Sequence, residues 1–171
     1  MTAQRIEAVL RPASVAVVGA SATPGSIGDV LCRNLREGGF RGPVFYVNPR
    51  HESIAGEPSY PDVRSLPQAV DVAIIATPPP TLPAILEHCG VRGVRGAIIV
   101  SAGFREGGEE GATCESTMLQ VARRYGLRLL GPNSFGVIRT DNGFNASCGA
   151  ALPQPGRLAL VSQSSALCAA T

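Results

Sequence analysis

Five short runs of consecutive apolar residues punctuate the chain at a nearly constant interval: residues 15–18, 44–47, 72–76, 97–100 and 127–130. Within each run the apolar character is continuous rather than alternating, so both faces of each strand are covered, as in a parallel sheet flanked by helices. The interval is close to the roughly 30 residues of a strand–helix–strand unit. The pattern predicts an α/β fold built on a doubly wound parallel sheet.

The segments between the runs carry helical period. Ser26 opens one in which Ile27, Val30, Leu31 and Leu35 share a face, Asp29, Arg33 and Arg36 lie elsewhere, and Gly38 with Gly39 ends it. Thr81 caps a second with Leu82, Ile85, Leu86 and Cys89 inward and Gly90 as its stop. A third turns Met118, Leu119, Ala122 and Tyr125 inward before Gly126. At the start of the chain Ile6, Val9 and Leu10 fall at helical spacing, which reads as a short docking helix rather than a targeting peptide. Residues 49–66 hold three prolines and a glycine and are expected to form a loop with one short turn.

A first domain is expected over residues 1–152, closed by Pro153 and Pro155. The pattern then restarts. Residues 157–161 read as another buried strand, and Ser162, Gln163, Ser164 and Ser165 as a polar turn into a helix beginning at Ala166, Leu167 and Cys168. One strand and half a helix cannot bury a core, so residues 157–171 are expected to open a second α/β domain of a longer protein.

Composition narrows the chemistry. With 44% hydrophobic and 16% charged residues the chain is not disordered, and no apolar run is long enough to cross a bilayer. All 15 basic residues are arginine, which excludes a P-loop, a pyridoxal Schiff base, a lysine-dependent reductase and the lysine of AMP-forming ligases. The arginines are scattered and the net charge is only +2, so no nucleic-acid footprint is visible. Five cysteines without a C-x-x-C pair read as reduced thiols in a cytoplasmic protein. His51 and His88 stand apart from any ligand cluster, so no metal site is expected.

The strand ends carry the candidate chemistry. The first turn reads Gly19-Ala20-Ser21-Ala22-Thr23-Pro24-Gly25-Ser26-Ile27-Gly28. Its glycines permit a tight turn and close packing, while the hydroxyls of Ser21, Thr23 and Ser26 and the following helix N-terminus suit an anion such as phosphate. The second strand ends Val47-Asn48-Pro49-Arg50, without the acidic residue that binds the ribose of NAD. Arg50 instead offers a charged planar fork for a ribose phosphate, which NADP carries on the 2′ oxygen and coenzyme A on the 3′ oxygen. The third and fourth runs end in Thr77-Pro78-Pro79-Pro80, a stiff apolar wall, and in Ser101-Ala102-Gly103-Phe104. The fifth ends in Gly131-Pro132-Asn133-Ser134-Phe135-Gly136, where the Asn133 amide is placed to bond a carbonyl.

In order and spacing, Gly19-Ala20-Ser21, Asn48-Pro49-Arg50, Thr77-Pro78-Pro79, Ser101-Ala102-Gly103-Phe104, Gly131-Pro132-Asn133-Ser134-Phe135-Gly136 and Ser162-Gln163-Ser164 resemble the N-terminal part of the NDP-forming acyl-CoA synthetases. These are relatives of the succinyl-CoA synthetase α subunit. The resemblance implies a CoA-binding Rossmann domain followed by a flavodoxin-like domain. It implies that Gly19, Ser21, Thr23, Gly25 and Ser26 form the loop that receives the phosphates of CoA. Arg50, after Asn48 and Pro49, stands where the family usually has a lysine on a CoA phosphate. Thr77, Pro78, Pro79, Ser101, Ala102 and Gly103 would line the nucleotide and pantetheine, with Asn133 near the thioester and Ser134 where many relatives have cysteine.

In the last motif the family usually reads Ser-Gln-Ser-Gly and holds the phosphate of a phosphohistidine. The matching residues are Ser162, Ser164 and Ser165, the last in place of the glycine. The family's histidine lies beyond position 171, and neither His51 nor His88 matches it. The implied function is the CoA- or acyl-CoA-binding domain of a synthetase that interconverts acyl-CoA, ADP and phosphate with acid, CoA and ATP. This segment would bind without turning over, partnered by the second domain and an ATP-grasp domain. Two alternatives stay open: an acyl-CoA-sensing region fused to a protein lysine acetyltransferase, toward which Ser165 points, and an NADP-binding domain. Neither nucleic acid nor membrane is an expected partner.

Overall fold

Alternate residues of each apolar run turn to opposite faces of one sheet. The computed structural model describes residues 3–150 and 153–170. In chain order the elements are α1 (Ala3–Leu10), β1 (Val15–Val18), α2 (Ile27–Glu37), β2 (Val44–Val47), β3 (Ser53–Ile54), β4 (Glu57–Tyr60) and β5 (Val72–Ile75). There follow α3 (Leu82–Val91), β6 (Gly96–Ile99), α4 (Glu109–Tyr125), β7 (Arg128–Leu130), β8 (Gly136–Arg139), β9 (Phe144–Ser147) and α5 (Ser165–Ala169).

Seven strands form the main sheet in the order β3-β4-β2-β1-β5-β6-β7, parallel throughout except for the β3–β4 pair. Ala16, Val18, Ala73, Ile75, Ala97 and Ile99 face one way, against Leu82, Leu86 and Cys89 of α3 and Met118 and Ala122 of α4. Val15, Val17, Val72, Ile74 and Ile98 face the other, against Leu31, Cys32 and Leu35 of α2, Val9 of α1, and Phe144 and Ala146 of β9. The fold is therefore Rossmann-like, with helices on both faces as the continuous runs require.

Several sequence expectations shift. Ile27 is 48% exposed, and the buried stripe of α2 runs instead through Gly28, Leu31, Cys32, Asn34 and Leu35. Thr81 does not cap α3: its backbone is already helical, and its hydroxyl lies on the Pro78 carbonyl and on Thr77 Oγ1. Gly90 does not stop α3 either. It lies inside the helix, where a Cβ would stand 2.2 Å from the Tyr125 ring, so the glycine admits α4 at close range.

Residues 49–66 are more ordered than their prolines suggest. β4 joins the sheet parallel to β2, and β3 folds back on it through Ala55 and Gly56, both at positive φ (52° and 85°), a turn suited to a tight hairpin. A second hairpin, β8–β9, was absent from the pattern-based reading. It lays Phe144 and Ala146 on α2, and the buried Asn34 amide fastens it by donating to the carbonyls of Ser147 (2.9 Å) and Gly149 (2.8 Å).

Residues 157–161 do not form a strand: no partner strand lies beside them among the described residues, and Leu158, Leu160 and Val161 are exposed. The following helix begins at Ser165 with Ser164 as its cap. The expected domain ends at Leu152 and Thr171 and the first two residues lie outside the described residues.

Candidate functional site at the strand tips

From β1 the chain winds outward to β2 and β4, then returns to place β5 on the other side of β1. That reversal between β1 and β5 is the topological switch point, where open α/β sheets hold ligands over the carboxyl ends of their strands. Five of the sequence-predicted segments meet there, stitched side by side. At the end of β2, Asn48 Nδ2 donates to the Ala20 carbonyl in the β1 loop (2.8 Å). Gly19, at φ +86°, abuts the β5 loop, since a Cβ on it would stand 2.9 Å from Thr77 Cγ2. The next contact pairs Gly103 with Pro79, whose Cγ would be 3.3 Å from a Cβ there. The last joins the Asn133 N–H to the Ser101 carbonyl (2.9 Å).

The β1 loop is braced internally. Ser21 Oγ accepts from the Thr23 N–H (3.0 Å), and Ser26 Oγ donates to the Thr23 carbonyl (2.8 Å) while capping α2 through the Asp29 N–H (3.2 Å). Gly28 lets the helix rest on the loop, because any Cβ there would meet the Gly19 carbonyl oxygen at 2.1 Å. The N–H groups of Ile27 and Gly28 have no acceptor among the described residues, which leaves the first turn of α2 open to an anion. Sequence reasoning passed over Asp29, whose Oδ2 accepts from the Gly25 N–H (3.0 Å). The signal was present in the Ser-x-x-Asp spacing from Ser26, a capping-box pattern.

The polar and charged residues divide into used and unused. Asn48 is a brace on both sides, its Oδ1 accepting from the Arg50 N–H (2.9 Å). The exposed Arg50 guanidinium makes no hydrogen bond or ion pair among the described residues. In the β6 loop the Gly103 N–H donates to Glu106 Oε1 (2.8 Å), and this bond holds the Glu106 carboxyl below its ordinary range. The Cys114 thiol donates to the Pro79 carbonyl (2.9 Å), and burial raises it above the usual thiol range. Asn133 is exposed at positive φ (52°), and Ser134 Oγ accepts from the Gly136 N–H (3.1 Å). Pro78, Ala102 and Gly103 are exposed around them.

Ser162, Ser164 and Ser165 are not brought into this row: their hydrogen bonds are local, from the Ser164 N–H to Ser162 Oγ (3.0 Å) and from the Leu167 N–H to Ser164 Oγ (3.3 Å). A separate cleft of about 500 Å³ opens at the opposite end of the sheet, bordered by Ala13, Arg41 and Asn142. Its place beside the starts of β1 and β2 sets it apart from the strand tips.

Residues 13–140 match the family described as CoA binding domain. The chain is 45% identical over 166 residues to the subunit alpha of acetate–CoA ligase (ADP-forming) I of Pyrococcus furiosus, covering 95% of this chain and 36% of that one. To acetate–CoA ligase (ADP-forming) I of Archaeoglobus fulgidus it is 44% identical over 161 residues, covering 94% and 23% respectively. Among solved structures it resembles PH0766 from Pyrococcus horikoshii OT3 with a TM-score of 0.90 at 36% identity, over 96% of this chain and 38% of that one. It also resembles the dinucleotide forming acetyl-coenzyme A synthetase 1 of Ca. Korarchaeum cryptofilum in complex with phosphate and ADP, with a TM-score of 0.79 at 38% identity over 84% and 31%. The chain thus spans 23% to 38% of the length of these relatives.

Proposed function

The chain belongs to the CoA-binding domain family, and from that footing we propose that CoA or acyl-CoA lies across the row of strand tips, phosphates over the β1 loop and thioester toward Asn133. The residues fit such a ligand. The open first turn of α2 and the hydroxyls of Ser21, Thr23 and Ser26 suit its diphosphate. Thr77, Pro78 and Pro79, with Ser101, Ala102 and Gly103 beside them, supply a stiff wall for the pantetheine arm.

The observation that carries the reading is Arg50, beside the Asn48 brace and without a partner among the described residues. A permanently charged fork at the end of β2 suits a ribose phosphate, and the acid that NAD requires is missing there. Calorimetric titration with CoA, dephospho-CoA and NADPH tests it. CoA binding tighter than either of the others is the expected result; tight NADPH without CoA overturns it.

In the whole protein this segment would serve an ADP-forming acyl-CoA ligase, anchoring the nucleotide end so that the thiol or thioester reaches the reaction site held by other domains. Its part is positioning, with no covalent step of its own. Residues 157–171 would open the second, flavodoxin-like domain, with Ser162, Ser164 and Ser165 beside its phosphate, and an ATP-grasp domain would complete the enzyme. No helix among the described residues is long and apolar enough to cross a membrane. Cys32, Cys89, Cys114 and Cys148 form no disulfide among the described residues, in keeping with a cytoplasmic protein.

A further inference from the structure

We propose that Asp29 is a built-in anion that the ligand's phosphates displace from the β1 loop, so that its charge limits the affinity of the site. The inference rests on the reading that this loop receives the phosphates of CoA.

Gly25 stands at the open rim of the loop, with nothing within 4 Å of the place a Cβ would take. Yet its N–H is already engaged, by Asp29 Oδ2 at 3.0 Å. Asp29 is the third residue of α2, in the turn where the helix dipole favours negative charge. Its backbone is pinned by the bond from its N–H to Ser26 Oγ, whereas its partly exposed carboxylate is tied by the bond from the Gly25 N–H and leaves by a side-chain rotation alone. Ser26 and Asp29 thus do two things at once: they cap the helix, and they load its anion seat with a charge from the chain itself. A phosphate arriving at Gly25, Ile27 and Gly28 meets that carboxylate as a like charge.

An asparagine at this position separates the two roles, because its Oδ1 still accepts from the Gly25 N–H while the charge is gone. The test is calorimetric titration of the wild-type chain, Asp29→Asn and Asp29→Ser with CoA and with adenosine, which lacks phosphate. Glu37→Gln, which removes an exposed charge at the far end of the same helix, controls for net charge. Thermal melts establish that each variant is folded. The expected result is that Asp29→Asn binds CoA about threefold to tenfold tighter, with adenosine and Glu37→Gln unchanged. Asp29→Ser, which keeps a capping hydroxyl, is expected to tighten CoA in the same direction and covers the case in which the asparagine variant does not fold. Equal or weaker CoA binding by the variants overturns the proposal and leaves the CoA reading intact. So does an equal gain for adenosine or for Glu37→Gln. Absence of CoA binding by wild type and variants alike removes both.

Discussion

Gly28 faces Gly19 so closely that a Cβ at position 28 would lie 2.1 Å from the Gly19 carbonyl oxygen and 3.0 Å from the Ser21 nitrogen. The contact sets helix α2 directly on the loop after β1. Two glycines thereby fix where the first turn of the helix points, and with it the phosphate end of the candidate site.

Alanine at position 28 tests that arrangement. Intrinsic helix propensity favours alanine over glycine by about 1 kcal/mol, but a Cβ against backbone has no flexible neighbour to yield. Overpacking of this kind costs about 1–3 kcal/mol. Gly28→Ala is expected to melt lower than wild type and to bind CoA at least roughly tenfold more weakly, since the seat itself is moved. A variant as stable and as tight as wild type would remove the close contact from the account.

The Asn34 amide is the second anchor of this helix. Its Nδ2 donates to two carbonyls at the end of the β8–β9 hairpin, Ser147 and Gly149, and the residue is only 5% exposed. Asn34→Ala leaves those acceptors without a donor, a loss of about 1–3 kcal/mol. At this chain length a drop of roughly 2–12 °C in melting temperature follows. Denaturant titration is expected to show a lower midpoint with an unchanged slope; a melting temperature within 1 °C of wild type, roughly the effect of a surface change, counts against the anchor.

Arg50 carries a prediction of the opposite kind, in affinity and not in stability. Its guanidinium is exposed and bound to nothing among the described residues, so Arg50→Ala is expected to melt like wild type. CoA binding should weaken by about 1.5–3 kcal/mol, as for a charge-assisted contact. Dephospho-CoA, lacking the 3′ phosphate, should bind both proteins alike. A loss of the same size for dephospho-CoA would move Arg50 away from that phosphate.

The thiols give a pH signature. Burial raises Cys32 from 9.0 to about 11 and Cys89 from 9.0 to about 12. A folded-state value above the unfolded one means that each contributes stability fully below pH 9.0, and that this is lost as pH rises toward 11 and 12. Melting temperature is therefore expected to fall along the alkaline limb, less steeply in Cys32→Ala. In native protein at pH 8, iodoacetamide should modify the exposed Cys148 while Cys32 and Cys89 react only after denaturation. Early modification of Cys32 would contradict its burial.

How much of this was written in the chain depends on whether the signal is local. The five main strands announce themselves because burial on both faces demands unbroken apolar runs, and Val15, Val72 and Ile98 all lie at or near zero exposure. The tip segments were legible for the same reason, each following a strand directly. Long-range company was not legible. Gly90 resembles a helix stop until the Tyr125 ring is seen against it, and the hairpin of Phe144 depends on α2, far away in sequence. Residues 157–161 have the composition of a strand, but a strand requires a neighbour. Asn48 stands out in the sequence only as part of the Asn-Pro-Arg segment, because the bond by which its amide ties that segment to the β1 loop depends on Ala20, far away in sequence.

The β3–β4 hairpin has a final consequence, at the margin of the sheet. Parallel strands rich in valine and isoleucine present a template for association with other copies wherever their last member lies bare. Here the outermost strand is only Ser53–Ile54, running against its neighbour, with Pro58 opposite Ser53. The other margin, Arg128–Leu130, is three residues long and opens on an arginine. Short, broken and charged borders of this kind discourage edge-to-edge growth into aggregates, so the same turn at Ala55 and Gly56 that lengthens the sheet also closes it to further strands.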